Sequence, residues 1–207
     1  MRNDTVGGWL DELASESSTP GGGAAAAMNA AVGAALISMV CNLTIGRPKY
    51  AAHEKELSAA LVEAEELRGQ ALRLAADDAA AFGSVIAAYK LAKATAEEKQ
   101  ARTAAIQQAL VGAADVPLRT AELAAEVIGL ARRILPGSNV NVVSDVAVAA
   151  SSARAALDAA VVNVEVNLAA LADEAHRTAV RDRLTAAVTA GAEADAVVAE
   201  VRERIAK

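Results

Sequence analysis

The chain has 207 residues and a formal net charge of -6, and 54% of its residues are hydrophobic while only 2% are aromatic. This composition provides enough apolar material for a compact core, and the scarcity of Pro and Cys argues against collagen-like chains and disulfide frameworks. The acidic balance, with no basic stripe in the sequence, argues against nucleic acid as a partner. Alanine, the best helix former, occurs 56 times, so the composition predicts an all-α fold.

The chain begins with a short predicted helix. Asp4 or Thr5 can cap it, and it runs to about Ala14, before the Ser-rich turn that precedes Pro20. Its apolar stripe consists of Trp9, Leu10 and Leu13.

A second helix, from the glycines after Pro20 to about Leu43, is predicted within a stretch that has no charged residue from Ser17 to Gly46. Such a stretch is long enough to cross a bilayer, so a membrane helix and a fully buried core helix are the two alternatives. The many alanines and glycines, together with Asn29 and Asn42, favour the buried helix.

Four further helices are predicted, over residues 49–93, 95–135, 141–172 and 174–207. Thr95 and Glu98 form a capping-box pattern at the start of the second of these, and Pro117 is expected to kink it. The third is rich in valine, which favours strands, but its alanines and the absence of turn signals in its sequence favour a helix. Together the elements predict one domain over residues 1–207, built as an up-and-down bundle of long antiparallel helices.

Asp78 lies on the same predicted helical stripe as Phe82, Val85 and Tyr89, at spacing i, i+4, i+7 and i+11. Burying an unpaired carboxylate is costly, so Asp78 is either paired with a hydrogen-bond donor or retained at a cleft for catalysis. The neighbouring Asp77 points about 100° away, toward solvent. The aromatic rings suit a flat heteroaromatic ligand, with ordinary packing as the alternative.

Other polar residues have both a functional and a structural interpretation. Gly21, Gly22 and Gly23 can bring backbone amides close to an anionic ligand at a helix start, or form a plain turn. Asn163 and Asn167 share one helix face and can bind a ligand or bond to a neighbouring helix.

The Ser144-Asp145 pair fits a helix N-cap, and Asn139 fits a turn. The chain has two histidines, one cysteine and no Glu-x-x-His pair, so no metal site is expected.

Several motifs occur in an order that resembles the cyclodeaminase/cyclohydrolase family, which comprises the C-terminal domain of formiminotransferase-cyclodeaminase and stand-alone methenyltetrahydrofolate cyclohydrolases. The matching segments are WLDELAS, STPGGGAAAA, MVCNLTIGRPKY, DDAAAFGSVIAAYKLAK, TAEEKQARTAAIQQAL, AADVPL, SNVNVVSDVAVAA and NVEVNL. The resemblance implies an all-helical homodimer with a folate substrate and no cofactor.

The resemblance also implies a set of site residues. It places the catalytic aspartate at Asp78. The positions implied to line the substrate pocket are Pro20, Gly21, Gly22, Gly23, Thr44, Lys49, Asn139, Ser144, Asp145, Asn163 and Asn167. Arg47 and Lys49 are the candidates for binding an anionic glutamate tail.

The activity expected from the resemblance is hydrolysis of 5,10-methenyltetrahydrofolate to 10-formyltetrahydrofolate, with Asp78 as general acid and base. Formiminotetrahydrofolate cyclodeamination, with release of ammonia, is the alternative reaction. A helical dimerisation or scaffold protein is the non-enzymatic alternative. The expected location is the cytoplasm, because the first residues do not resemble a secretory signal.

Overall fold

A computed structural model describes residues 5–207 of the chain. Within that range the regular structure is helical and there is no strand, so the predicted all-α class is confirmed and the valine-rich segment is a helix. The α-helices in chain order are α1 (Val6–Leu13), α2 (Gly22–Asn42), α3 (Glu54–Tyr89), α4 (Ala96–Ile134), α5 (Val143–Ala170), α6 (Glu174–Val188) and α7 (Ala190–Ile205).

Helices α2 to α5 form an antiparallel four-helix bundle. The start of α2 lies beside the later part of α3, where the Ala24 amide reaches Asp78. The middle of α2 lies against α5, because a Cβ added at Gly33 would be 3.0 Å from the carbonyl oxygen of Ala149. Asn167 near the end of α5 bonds to Ala113 in α4. The chain therefore runs up and down through the bundle, as predicted.

Helix α2 packs between α3 and α5 in this bundle, and 12 of its 21 residues are buried, most of them alanine or glycine. Small side chains let helix axes approach closely, so α2 packs on both α3 and α5 without large residues. α2 is long and apolar enough to cross a membrane, yet most of it is buried against the other helices of this fold. For α2 the fold therefore supports the buried core helix over the membrane helix.

The helix ends follow the predicted capping signals. The Thr5 hydroxyl accepts a hydrogen bond from the Gly8 amide at the start of α1, and Trp9 is buried. Asp4, the other predicted cap, lies outside the described residues. Thr95 and Glu98 form both bonds of the predicted capping box. Leu10 is exposed, contrary to the prediction, because one side of this short helix faces solvent.

Two predicted helix starts differ from the structure, and the helix with the internal proline is continuous. The helix predicted over 49–93 begins with a 3-10 segment, Pro48–His53, because proline fits a first turn better than a helix interior. The helix predicted from residue 141 likewise starts after a 3-10 turn, Val140–Val142. α4 continues as a helix through Pro117.

The C-terminal segment also differs from its prediction, because it is two helices that meet at Thr189. Arg183 of α6 pairs with Glu122 of α4. Arg154 of α5 bonds to the Gly191 carbonyl oxygen and to Asp195 of α7. The break at Thr189 thus lets α6 pack on α4 while α7 also packs on α5.

Helices α3 and α4 extend past the ends of α2 and α5 and form an arm. α2 begins opposite Asp78, and α5 ends at Ala170, which accepts a hydrogen bond from Gln107 of α4. The last 11 residues of α3 therefore continue past the start of α2 for about 16 Å. The start of α4 runs beside them. This arm, residues 79–106, adjoins the end of the bundle where Asp78 lies.

Candidate functional site

Asp78 contacts the N-terminus of α2 from a neighbouring helix. Its Oδ2 accepts a hydrogen bond of 3.1 Å from the backbone N–H of Ala24, the third residue of α2. Gly21 precedes the helix and supplies no side-chain cap. The carboxylate therefore satisfies one of the free amides of the first turn, and the positive end of the helix dipole favours its charge.

Gly23 makes this contact sterically accessible. A Cβ at Gly23 would overlap the Asp78 carboxylate, whose Cγ and Oδ2 lie close to the glycine backbone. The sequence left two interpretations of the glycines open, which were close approach of backbone amides to an anionic ligand and a plain turn. At Gly23 the space beside the backbone is occupied by Asp78, so this glycine positions a side chain of the protein.

The environment of Asp78 leaves it capable of proton transfer. Burial raises the pKa of the Asp78 carboxyl above its usual value, and the hydrogen bond from Ala24 opposes this increase only in part. The side chain is half-buried, and among residues 5–207 Ala24 is the one hydrogen-bond donor to it. Asp78 is thus paired, as one of the two alternatives had it, and it remains partly accessible; its catalytic role stays a prediction. Asp77 is exposed, as predicted.

Asn163 lies beside the same glycine turn. Its amide atoms are 3.6 and 3.7 Å from a Cβ built at Gly22, and its Nδ2 donates to the Ala159 carbonyl oxygen at 2.8 Å. Asn167 Nδ2 donates to the carbonyl oxygens of Ala113 and Asn163, each at 2.8 Å. The bond to Ala113 is the helix-to-helix bond given as the alternative for these asparagines.

These bonds determine what the two asparagines can offer a ligand. Both Nδ2 groups are occupied, whereas neither Oδ1 accepts a hydrogen bond from the part of the chain that the structure describes. Asn163 and Asn167 are half-buried. Together with Asp78 they form a group of hydrogen-bond acceptors at the end of the bundle, which suits a ligand that carries N–H groups.

The predicted pocket residues divide into two groups within one chain. Pro20, Gly21, Gly22, Gly23, Asn163 and Asn167 lie at the Asp78 end of the bundle, which we call the aspartate end. The second group lies at the opposite end of α2, about 30 Å away. It consists of Thr44, Lys49, Asn139, Ser144 and Asp145.

The second group is centred on a buried hydrogen-bond cluster. Thr44 Oγ1 donates to the Val40 carbonyl oxygen at 2.6 Å and accepts from the Asn139 amide at 3.1 Å. Asn139 Nδ2 donates to the Leu43 carbonyl oxygen, and its Oδ1 accepts from the Tyr50 hydroxyl at 3.3 Å. Thr44 and Asn139 are buried. We call this opposite end of the bundle the threonine end.

The remaining predicted residues at the threonine end are more exposed. Arg47 Nε donates to the Leu43 carbonyl oxygen, and the Lys49 ammonium lies 5.5 Å from the centre of the Tyr50 ring. Ser144 and Asp145 lie inside the first turn of α5, which Val142 precedes, so the N-cap alternative for this pair is wrong. Asn139 lies in the turn before α5, as the sequence indicated.

Three other potentially reactive side chains have structural surroundings that account for them. Cys41 is buried and its pKa is raised to about 11, mainly by desolvation, so its thiol is neutral at physiological pH. Asp173 caps α6, and His176 Nε2 lies 3.4 Å from Asp115. In the described range, 5–207, no three His, Cys, Asp or Glu side chains converge in a way that suits a metal ion.

One feature of the aspartate end was missed from the sequence, and for another the structure decides between two interpretations. The Ala24 amide is a backbone donor, which no residue type signals, although its place in the first turn of a predicted helix was a usable clue. Phe82 and Tyr89 are 40% and 48% exposed, so ordinary core packing does not explain these rings.

Comparison with known proteins gives consistent matches. A family model described as formiminotransferase-cyclodeaminase matches residues 5–186. A methenyltetrahydrofolate cyclohydrolase from Methylorubrum extorquens is 50% identical over 173 residues, which cover 84% of this chain and 83% of that protein. The formimidoyltransferase-cyclodeaminase of Rattus norvegicus is 33% identical over 86% of this chain, which spans only 33% of that longer protein.

A solved structure extends these matches to the fold. A formiminotetrahydrofolate cyclodeaminase from Thermotoga maritima aligns with a TM-score of 0.88 at 28% identity, and the alignment covers 100% of this chain and 99% of that one.

Proposed function

The chain belongs to the formiminotransferase-cyclodeaminase family, and from this premise we propose that it hydrolyses 5,10-methenyltetrahydrofolate to 10-formyltetrahydrofolate. The choice of reaction is supported by the relative that is 50% identical and named methenyltetrahydrofolate cyclohydrolase. The observation that carries the chemistry is the half-buried Asp78 carboxylate held against the start of α2.

The reaction requires one group that handles a proton twice. The substrate carbon between two nitrogens carries a delocalised positive charge, which the Asp78 carboxylate stabilises. Water adds to this carbon while Asp78 accepts a proton from the water. Asp78 then returns that proton to the ring nitrogen as the carbon–nitrogen bond breaks. The hydroxyl group of the adduct loses its own proton to solvent and becomes the formyl C=O on the other nitrogen. The overall reaction consumes one water and releases one proton without a change of oxidation state, and the proposal includes no metal or redox cofactor.

The aspartate end also supplies the groups proposed to bind the pterin ring. The Oδ1 atoms of Asn163 and Asn167 accept hydrogen bonds from ring N–H groups, because both Nδ2 atoms are already used. Pro20, Gly21 and Gly22 form the adjoining turn, and Gly22 lies next to Asn163.

We propose that the enzyme acts as a homodimer. The stretch around α2 has no charged residue, and Val32, Met39 and, on the adjacent α5, Val148 are exposed. An exposed uncharged face of this kind is typical of a subunit contact. If two α2 helices pair in opposite directions, the threonine end of one copy lies near the aspartate end of the other. Lys49, Ser144 and Asp145 would then reach a ligand only across the contact.

Light scattering of the purified protein tests the dimer. The parent is expected at twice the chain mass and Val32→Asp at the chain mass, with Val62→Asp on the exposed side of α3 as the matched control. A monomeric parent at micromolar concentration contradicts the dimer.

A cytoplasmic location stays a prediction, which cell fractionation tests.

Cyclodeamination of formiminotetrahydrofolate is the second candidate function. It is favoured by the formimidoyltransferase-cyclodeaminase of Rattus norvegicus and by the cyclodeaminase structure from Thermotoga maritima. Both reactions share the methenyl compound, so the same pocket serves either.

Two assays on one preparation decide between these functions. Loss of methenyltetrahydrofolate absorbance above the uncatalysed rate supports hydrolysis, and ammonia release from formiminotetrahydrofolate supports cyclodeamination. Absence of both activities, together with no shift in Tm on adding folate, supports the scaffold alternative.

A further inference from the structure

The buried stripe of α3 continues along the arm, where no helix covers it. At intervals of three or four residues the stripe includes Ala64, Leu67, Ala71 and Leu74, each at most 5% exposed. The same spacing continues through Asp78 to Phe82 and Tyr89. These two aromatic residues are exposed because α2 begins opposite Asp78. The arm therefore presents a core-type face without a core partner in the described structure.

The tip of the arm is basic in a chain that is acidic overall. Residues 89–103 contain four cations and two acids, while the whole chain has a net charge of -6. Arg102 lies over the Tyr89 ring at 5.4 Å and donates to the Tyr89 carbonyl oxygen, which fixes a guanidinium at this point. Within residues 5–207, Lys90, Lys93 and Arg102 have no acidic partner within ion-pair distance.

We propose that the arm binds the aryl-carboxylate tail of the substrate, with the aromatic ring on Phe82 and Tyr89 and the glutamate carboxylates at Lys90, Lys93 and Arg102. The proposal rests on the proposed folate function. From Asp78 to the tip of the arm, the order is the carboxylate, the aromatic face and then the cations. A reduced folate has the matching order, which is the reacting carbon, the aromatic ring and then the carboxylates. Arg47 and Lys49, the cations expected from the sequence to bind this tail, lie at the other end of α2 in the same chain, so in the proposed homodimer they would reach this tail only from the partner copy.

A binding experiment tests the tail independently of catalysis. The probe is p-aminobenzoyl triglutamate, titrated calorimetrically into the parent and into Phe82→Ala, Lys93→Glu and Lys49→Glu. Phe82→Ala and Lys93→Glu are each expected to weaken binding by about 3- to 10-fold, because each removes one ring or charge contact. Val62→Ala and Lys55→Glu, exposed residues of α3 away from the arm, are the matched controls and are expected to bind as the parent does.

The same variants are then compared in turnover. The Phe82 and Lys93 variants are expected to raise KM by a similar factor, more for a triglutamate substrate than for a monoglutamate, while kcat changes less than threefold. Weaker binding caused by Lys49→Glu, with Lys93→Glu equal to the parent, overturns the proposal. So does dissociation of a dimer by Phe82→Ala, because it identifies the face as a subunit contact. A parent that binds the probe but lacks turnover contradicts only the proposed function.

Discussion

The aspartate end and the threonine end of α2 carry polar side chains that the family resemblance assigns to one pocket, but their hydrogen bonding differs. At the threonine end, Thr44 and Asn139 are buried and bonded to each other, to backbone carbonyls and to Tyr50. At the aspartate end, Asp78 is half-buried and accepts one bond, from Ala24. Saturated buried polar groups stabilise a fold, whereas accessible acceptors with unused capacity can bind and react.

The difference arises from how each end is closed. At the threonine end α4 is joined to α5 by the short segment 135–142, and Asn139 in that segment is hydrogen-bonded to the end of α2. At the aspartate end two helices stop while α3 and α4 continue. Because the helices differ in length, the side of α3 is uncovered where α2 and α5 end. At that place a carboxylate can be partly desolvated and still be accessible to a ligand.

The largest expected effect is at Asp78. Replacing Asp78 by Asn keeps the acceptor for the Ala24 amide but removes the base, so turnover is expected to fall by ~10²–10⁴-fold. Stopped-flow absorbance of methenyltetrahydrofolate measures the turnover of the parent and of the variant. Asp77→Asn, one residue away and exposed, is the matched control and is expected to keep parental turnover. Equal rates for parent and Asp78→Asn would remove Asp78 from the mechanism.

Gly23→Ala tests whether the position of the carboxylate matters as well as its presence. The new methyl group would overlap the Asp78 carboxylate, which must move, and a displacement of about 1 Å is expected to lower kcat by roughly 10–100-fold. Gly129→Ala is the control, because nothing lies within 4 Å of its Cβ position. It is expected to retain activity and gain about 0.5–1 kcal/mol of stability. Parental kcat in Gly23→Ala contradicts the positioning role.

At the threonine end the expected effect is on stability. Thr44→Val leaves the buried Asn139 amide without its acceptor, which costs about 1–3 kcal/mol. For a chain of this size Tm is expected to fall by roughly 3–10 °C in calorimetry. Thr103→Val removes a comparable bond to a backbone carbonyl on an exposed face of α4, so its Tm is expected to match the parent. An unchanged Tm in Thr44→Val would show that the cluster does not stabilise the fold.

The smallest expected effect is a pH-dependent stability difference at Asp78. Because burial raises the pKa of this carboxyl in the folded state, its ionised form disfavours folding. The stability contribution is complete at acid pH and is lost as pH rises through the folded-state pKa. Asp78→Asn is therefore expected to have the parental Tm near pH 3 and a slightly higher Tm at neutral pH. Asp77→Asn is expected to show no such divergence, and a lower Tm of Asp78→Asn at neutral pH contradicts the assignment.

Much of the fold could be predicted because its signals are local. Alanine content, the uncharged α2 and the Thr95–Glu98 capping box each depend on residues within a few turns of one another. The break at Thr189 could not be predicted this way, because it reflects how the C-terminal segment packs on α4 and α5. Asp78 could be singled out from its apolar stripe, but its partner is the amide of Ala24, 54 residues earlier in the chain.

The sequence by itself determined the helical class, the helix that carries Asp78 and, through its motifs, the family. Only the tertiary structure decided that the positions assigned to the pocket by resemblance lie at two ends of one bundle and that Phe82 and Tyr89 are exposed. Helical periodicity records which face of a helix is apolar. It does not record where the neighbouring helices stop, and that length difference determines which part of the apolar face remains open to a ligand.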